Sequence, residues 1–447
     1  MQRLKLLKTL AVMRAFFIFA DVLTSLDNSL TSTFQGGQIF LPPFYSLTKK
    51  NTHNTFKLFH LQNRTGVQYI SILDAMRNIF EEIGKTPAEI EAKLNKAFTQ
   101  LFEGDRENER ICFDKGNDMA YIVDIGHNDI RSEGMSYGMT VAALLGKQDL
   151  FDKLWKFAKT HMKNTEGDLA GYYSWQVSTA DFSMMDPGAA PDGEEYFAAA
   201  LLYAAKIFKN EQYKRDAVEL INDMAHKPQA GDVYTMMDVN AGLVRFSPMK
   251  GNDYTDPSYN TVAFYRMYGE ASGDAIWNKI ADNSVAYLKK ACHPVTGLAA
   301  DYSEFDGTPK KTPWHPESDC FCGDAWRVVW NIGLDAAKLQ DKGERTDVSE
   351  WEVSAVRKIL GYLHGRRPYL ADMRVDGSAF PREARPATGG LIAMNAASTV
   401  ALPAGDPLIK PFAEDLWNME IPTGLWRYYD GLLYMLGLLA CSGKFNV

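Results

Sequence analysis

Cysteine is scarce: five residues in 447, an odd number, at positions 112, 292, 320, 322 and 441. They make no disulfide framework, and a reducing compartment, the cytoplasm, is the setting they fit. Cys320-Phe321-Cys322 with His315 nearby offers a poor chelate, because a single residue separates the thiols and no second Cys pair exists; no metal is expected. The chain has no Gly-rich phosphate loop, no nucleophile elbow and no His-rich spacing, so no cofactor is expected. Eight His leave a serine triad open by composition, but nothing in the sequence positions one. No run approaches the roughly 18 apolar residues of a membrane-spanning helix. Positive charge is also in deficit: 48 Lys and Arg against 56 Asp and Glu leave −8, which argues against a nucleic-acid surface.

What the chain does have is aromatic rings, 12% of residues with nine Trp and 21 Tyr. Stacking platforms for flat uncharged ligands such as sugars account for them, and so does the interior of a large helical protein. With 46% apolar and 23% charged residues, the length suits one large domain or two or three ordinary ones.

Residues 1–23 start with Arg3, Lys5 and Lys8 and continue in an apolar stretch broken by Arg14 and Asp21. That is not a clean secretory signal; the segment reads as a leader that is not cleaved, with export left open. The stretch 24–63 is rich in Ser, Thr, Asn and Gln and carries Pro42-Pro43 without a steady period. Residues 1–65 therefore read as an extension outside the fold, and 66–447 as a single catalytic domain.

Helical periodicity dominates the remainder. Thr86-Pro87-Ala88-Glu89 predicts a helix start with a cap, a Pro at the first position and the Glu of a capping box. Apolar Ile90, Leu94, Ala97, Phe98 and Leu101 then recur three or four apart, so one face is buried. In all, about twelve helices are predicted: 87–103, 133–145, 149–163, 194–208, 211–226, 257–270, 274–291, 321–338, 348–364, 391–402, 408–417 and 425–441. One β-hairpin is expected, 233–238 with 243–246 across Asn240-Ala241-Gly242. Such a count predicts an all-α domain of paired helices. Six pairs close into a ring with a pit at one end; a bundle or an open solenoid fits the count too.

Four acidic stretches lie at helix starts. In Arg131-Ser132-Glu133-Gly134-Met135-Ser136-Tyr137-Gly138, Glu133 sits at the mouth of an apolar helix, where a working acid belongs, although steadying the N-terminal dipole is an equal use for it. Gly134 and Gly138 share a helical face and let a backbone or ligand come close. In Ala190-Pro191-Asp192-Gly193-Glu194-Glu195, Asp192 reads as an N-cap and the two Glu as first-turn dipole partners. Asp324 and Arg327 are three apart, so a guanidinium shares a face with a carboxylate, as a general base or an ordinary ion pair would have it. Asp256-Pro257-Ser258-Tyr259 gives a capping signal and a phenol. Glycoside hydrolysis most naturally requires two carboxylic groups in different environments, one protonated and one ionised.

In order and spacing, the stretches 131–138, 190–197, 256–259 and 324–327 resemble the motifs of glycoside hydrolase family 8, above all its reducing-end xylose-releasing exo-oligoxylanase branch. The similarity runs from residue 78 to residue 445 and includes Trp426-Arg427-Tyr428-Tyr429-Asp430-Gly431. The resemblance implies an (α/α)6 barrel and an inverting hydrolase acting on β-1,4-xylo-oligosaccharides from the reducing end, with an endo-acting xylanase or glucanase and a non-catalytic carbohydrate-binding barrel as alternatives. It also implies roles: Glu133 as general acid, Asp324 as general base, Asp192 binding the sugar at the cleavage point and Tyr259 holding the attacking water. Arg327 would orient Asp324, and Trp175 would line a sugar subsite. The two carboxyl groups should then stand roughly 6.5 to 9.5 Å apart. Where that branch leads one to expect Leu-His-Pro in the loop closing the cleft, this chain has Ala384-Arg385-Pro386, so Arg385 is the candidate donor to the reducing-end sugar.

Overall fold

A computed structural model describes residues 76–445 apart from 345, and of the preceding stretch only five short strands between 33 and 70. The chain divides into two compact units, Met1–Ala75 and Met76–Val447. In the first, the five strands pair antiparallel in chain order. The leader reading of 1–23 lies outside the described residues.

The second unit is helical. Its described α-helices are α1 (Ile79–Glu82), α2 (Pro87–Phe98), α3 (Ser132–Leu144), α4 (Gln148–Phe157), α5 (Pro191–Phe208), α6 (Glu211–His226), α7 (Val262–Ser272), α8 (Ile276–Ala291), α9 (Val328–Asp341), α10 (Asp347–His364), α11 (Gly389–Ser398), α12 (Ile409–Asn418) and α13 (Arg427–Cys441). Helices α3, α5, α7, α9, α11 and α13 pack side by side in that order, and α13 returns to α3, closing a ring. Each inner helix carries an outer partner: α4 on α3, α6 on α5, α8 on α7, α10 on α9, α12 on α11, and α2 on α13. The twelve predicted helices are thus the six pairs of an (α/α)6 barrel, and neither the open solenoid nor the bundle is formed.

Sequence explains which helix lies where. Outer α2 buries only Ile90, Leu94, Ala97 and Phe98, a single stripe, and opens on the expected box between Thr86 and Glu89. Inner α3 buries every residue from Gly134 to Leu144, and inner α13 is nearly as enclosed; helices apolar all round belong inside. Near the end of the chain Phe445, fully buried, makes T-shaped ring contacts with Trp330 on α9 and Tyr203 on α5.

Several local expectations change. The helix expected over 257–270 begins as a 3-10 turn, Pro257–Tyr259, and restarts at Val262. That expected from 321 begins instead with a strand pair, Cys320–Phe321 against Met373–Arg374, followed by a 3-10 turn over Asp324–Arg327. The predicted hairpin forms, reduced to Met237–Asp238 against Leu243–Val244, with Gly242 at positive φ. It has company: 112–116 with 119–122, and a three-stranded sheet of 129–131, 176–178 and 184–186, whose pairings span too few residues to show a period of two.

Candidate active site

Because outer and inner helices alternate in direction, all six inner helices start at the same end of the barrel. Their N-termini, each with unsatisfied N–H groups and a positive dipole end, face one pit. The four acidic stretches are the starts of α3, α5, α7 and α9, so the topology gathers carboxylates that lie up to 191 residues apart in the chain.

They converge on one cation. Arg327, whose side chain is 3% exposed, donates from Nη1 to Asp192 Oδ2 at 2.7 Å, to the Tyr137 hydroxyl at 2.8 Å and to Glu133 Oε2 at 3.3 Å. Its Nη2 donates to Asp324 Oδ1 at 2.9 Å and lies 3.7 Å from Asp256 Oδ2. A single planar fork therefore spans from Glu133 to Asp324, which limits the gap between their nearest oxygens to at most about 8.5 Å, a bound compatible with the roughly 6.5 to 9.5 Å that leaves room for a water. One positive charge does not neutralise four carboxylates in a site this dry, and their proton affinities rise accordingly. Burial pushes Glu133 up to about 8, against the pull of Arg327 and with a further push from Asp192 and Asp324. Burial likewise raises Asp192, and raises Asp256 well above the carboxylate range. Asp324 is the open member of the set, its side chain 31% exposed against 16% for Glu133 and 6% for Asp192. The arrangement offers a protonated carboxyl and a wetter, guanidinium-paired carboxylate facing one space.

Glu133 is held from its other side as well: the Tyr428 hydroxyl, at the start of α13, donates to Oε1 at 3.0 Å. Gly134 makes this contact feasible, since a Cβ there would collide with the Tyr428 ring. The close approach inferred from the glycines is thus to side chains, Tyr428 at Gly134 and Ile122 at Gly138.

Two cavities meet at the carboxylates. One, about 610 Å³, is walled by Trp175, Tyr259, Phe246 and the exposed Trp314, with Glu133, Asp192 and Asp324 at its inner end. The other, about 340 Å³, shares Glu133 and Asp324 and is walled by Trp426, Tyr428, Tyr429, His315 and Arg385. Every predicted site residue except Arg327, which is buried among the carboxylates, therefore lines this cleft. Arg385 is braced, donating from Nε at 2.8 Å and Nη2 at 2.5 Å to the carboxylate of Asp372, with its guanidinium 5.2 Å from the Trp326 ring.

Two readings need correction. Asp192 is not the N-cap of α5, a place taken by Ala190; it lies inside the first turn and accepts from the Gly193 N–H at 2.8 Å. Glu194 and Glu195 are not solvated dipole partners but buried: Glu194 accepts from the Tyr173 N–H at 2.6 Å, and Glu195 from the hydroxyls of Thr261 and Tyr265 at 2.9 and 2.7 Å. Asp256 caps its 3-10 turn as expected, at 2.6 Å from the Ser258 N–H, yet also belongs to the carboxylate cluster. Tyr137, Tyr428 and Trp426, and Asp256 beyond its cap, carried no site role in the sequence. Tyr137 alone had a usable signal, lying four residues after Glu133 on one helical face.

The model for "Glycosyl hydrolases family 8" matches residues 122–353, just over half the chain. The chain belongs to this family. Among curated family 8 relatives, a reducing end xylose-releasing exo-oligoxylanase of Halalkalibacterium halodurans is 36% identical over 83% of this chain and 94% of its own length. Rex8A of Paenibacillus barcinonensis, a reducing-end xylose-releasing exo-oligoxylanase, is 34% identical over 83% and 96%. Two family 8 structures from Teredinibacter turnerae, a xylobiose complex and a catalytic-mutant xylohexaose complex of a xylanase, each superpose with a TM-score of 0.77 at 36% identity, covering 83% of this chain and 97% of theirs. As a family 8 member the chain is an inverting glycoside hydrolase on an (α/α)6 barrel.

Proposed function

We propose that this protein hydrolyses β-1,4-xylo-oligosaccharides with inversion, releasing xylose from the reducing end. The observation that carries the reading is Glu133 and Asp324 held on the two nitrogens of one guanidinium, facing a shared cleft. Glu133, which keeps its proton up to about pH 8, gives it to the leaving glycosidic oxygen. Asp324, the more open carboxylate, takes a proton from the water attacking the opposite face of the sugar. Asp192 binds the sugar at the cleavage point, Tyr259 holds the water, and Arg327 keeps the acid and base at a fixed separation. Trp175 stacks a sugar in the larger cavity. Arg385, braced by Asp372, offers its remaining N–H groups to the sugar in the smaller one. The unequal cavities support one released unit on the Arg385 side and a longer chain on the Trp175 side, as do the activities of the curated relatives.

The test is product and mutant together. Xylotriose should yield xylose and xylobiose with little loss of xylan viscosity, and freshly formed sugar should carry the inverted anomeric configuration by NMR. Glu133→Gln should lower kcat by roughly 10²- to 10⁴-fold while oligosaccharide binding persists; a Gln variant of normal activity removes Glu133 as acid. An endo-acting xylanase is the second reading, favoured by the likeness to the xylohexaose complex, and rapid loss of xylan viscosity selects it.

A further inference from the structure

Asp301 lies in the loop after α8, 1% exposed, and sequence gave it no role. Its Oδ1 accepts from two backbone donors, the N–H of Cys322 at 3.1 Å and that of Ala325 at 2.9 Å. These two amides bracket Gly323 and Asp324. On the far side of the same turn the Tyr429 hydroxyl donates to the Gly323 carbonyl at 3.0 Å. Asp301 Oδ2 is held by His315 Nε2 at 3.0 Å, and the His315 ring stands edge-on to Tyr302 at 5.4 Å. A buried carboxylate accepting three hydrogen bonds, two of them from the turn that carries the proposed base, is a clamp on that turn.

We infer that Asp301 is a positioning residue for Asp324, and that the cationic ring of His315 keeps this clamp charged. The inference rests on the role given to Asp324 above. The need for His315 follows from what surrounds the pair. Asp301 faces the carboxyls of Asp324 and Asp256, Tyr302 and the Cys322 thiol, with Arg385 as the other nearby cation; His315 faces Asp301, Asp324 and Glu317. Burial lifts Asp301 to about 6, even with His315 pulling it down, and the bond to Asp301 raises His315 in turn. Protonation converts one Asp301 oxygen from acceptor to donor, which loosens its hold on the amides or on the ring. Without the imidazolium that happens at higher pH.

Four variants of the full chain, assayed for kcat, KM and pH profile on xylotriose, test this. Asp301→Ala should lose roughly 10- to 100-fold in kcat with KM little changed, because the base is misplaced while the sugar still binds. Asp301→Asn, whose side-chain oxygen can take both amides but which, like protonated Asp301, cannot accept from the His315 ring, should recover part of that loss. His315→Gln, at a side chain 29% exposed, should move the acid limb of kcat/KM to higher pH. Asp324→Asn should be inactive. Asp301→Ala within about twofold of wild type, Asn no better than Ala, or an unmoved acid limb in His315→Gln overturns the inference while an inactive Asp324→Asn leaves the base in place. An active Asp324→Asn instead overturns the base assignment, and the clamp falls with it.

Discussion

Arg327 is the residue on which the chemistry turns, because its donors are arranged as a fork. A Lys ammonium would bring the charge without the spacing, whereas the guanidinium fixes where Glu133, Asp192 and Asp324 stand relative to one another. Next to it, Glu133 is tuned by opposing influences: burial favours its neutral form and Arg327 draws it toward the ionised one, while the Tyr428 hydroxyl donates to the same carboxyl. Since the acid works protonated, activity should fall as pH rises through about 8. Tyr428→Phe removes a donor that steadies the carboxylate, so the basic limb of kcat/KM should move upward by about one pH unit. A limb that stays in place in that variant would detach Tyr428 from the acid.

At the scale of elements, the starts of the inner helices carry more than the reacting groups. Glu194 and Glu195 near the start of α5 are buried and tie it to the segment at Tyr173 and to the start of α7. Burial pushes Glu194 up to about 8 from its ordinary 4.5, so between those values the folded chain keeps a proton that the unfolded chain releases. Its contribution is complete below about pH 4.5 and is lost as pH rises toward 8. Glu194→Gln, which keeps an oxygen for the Tyr173 N–H and cannot ionise, should flatten the decline of stability over that range by roughly 1 kcal/mol per pH unit. Denaturant unfolding of both forms at several pH values measures it; parallel curves would mean that Glu194 does not titrate there.

For the whole molecule, the ring closes when α13, near the end of the second unit, packs on α3, with α2 completing the outer layer on α13, and Phe445 then packs between α5 and α9. Phe445→Ala should cost about 3 to 5 kcal/mol by leaving a cavity between α5 and α9, with kcat/KM retained because Phe445 touches none of the reacting groups. Thermal unfolding together with xylotriose turnover checks this, and equal losses in both would show that the packing of Trp330 reaches Arg327. The sequence by itself determined the number, order and rough limits of the helices, since apolar spacing and caps are written locally. It also determined that Glu133, Asp192, Asp324 and Arg327 stand at helix starts. What only the tertiary structure decided is which donors and acceptors meet. The burial of Glu194 and Glu195, the contacts of Tyr428 and Tyr137 with the acid and the guanidinium, and the hold of Asp301 on the 322–325 turn all arise between segments distant in the chain. Local periodicity carries no record of such pairs, because ring closure, and not the neighbouring sequence, brings them together.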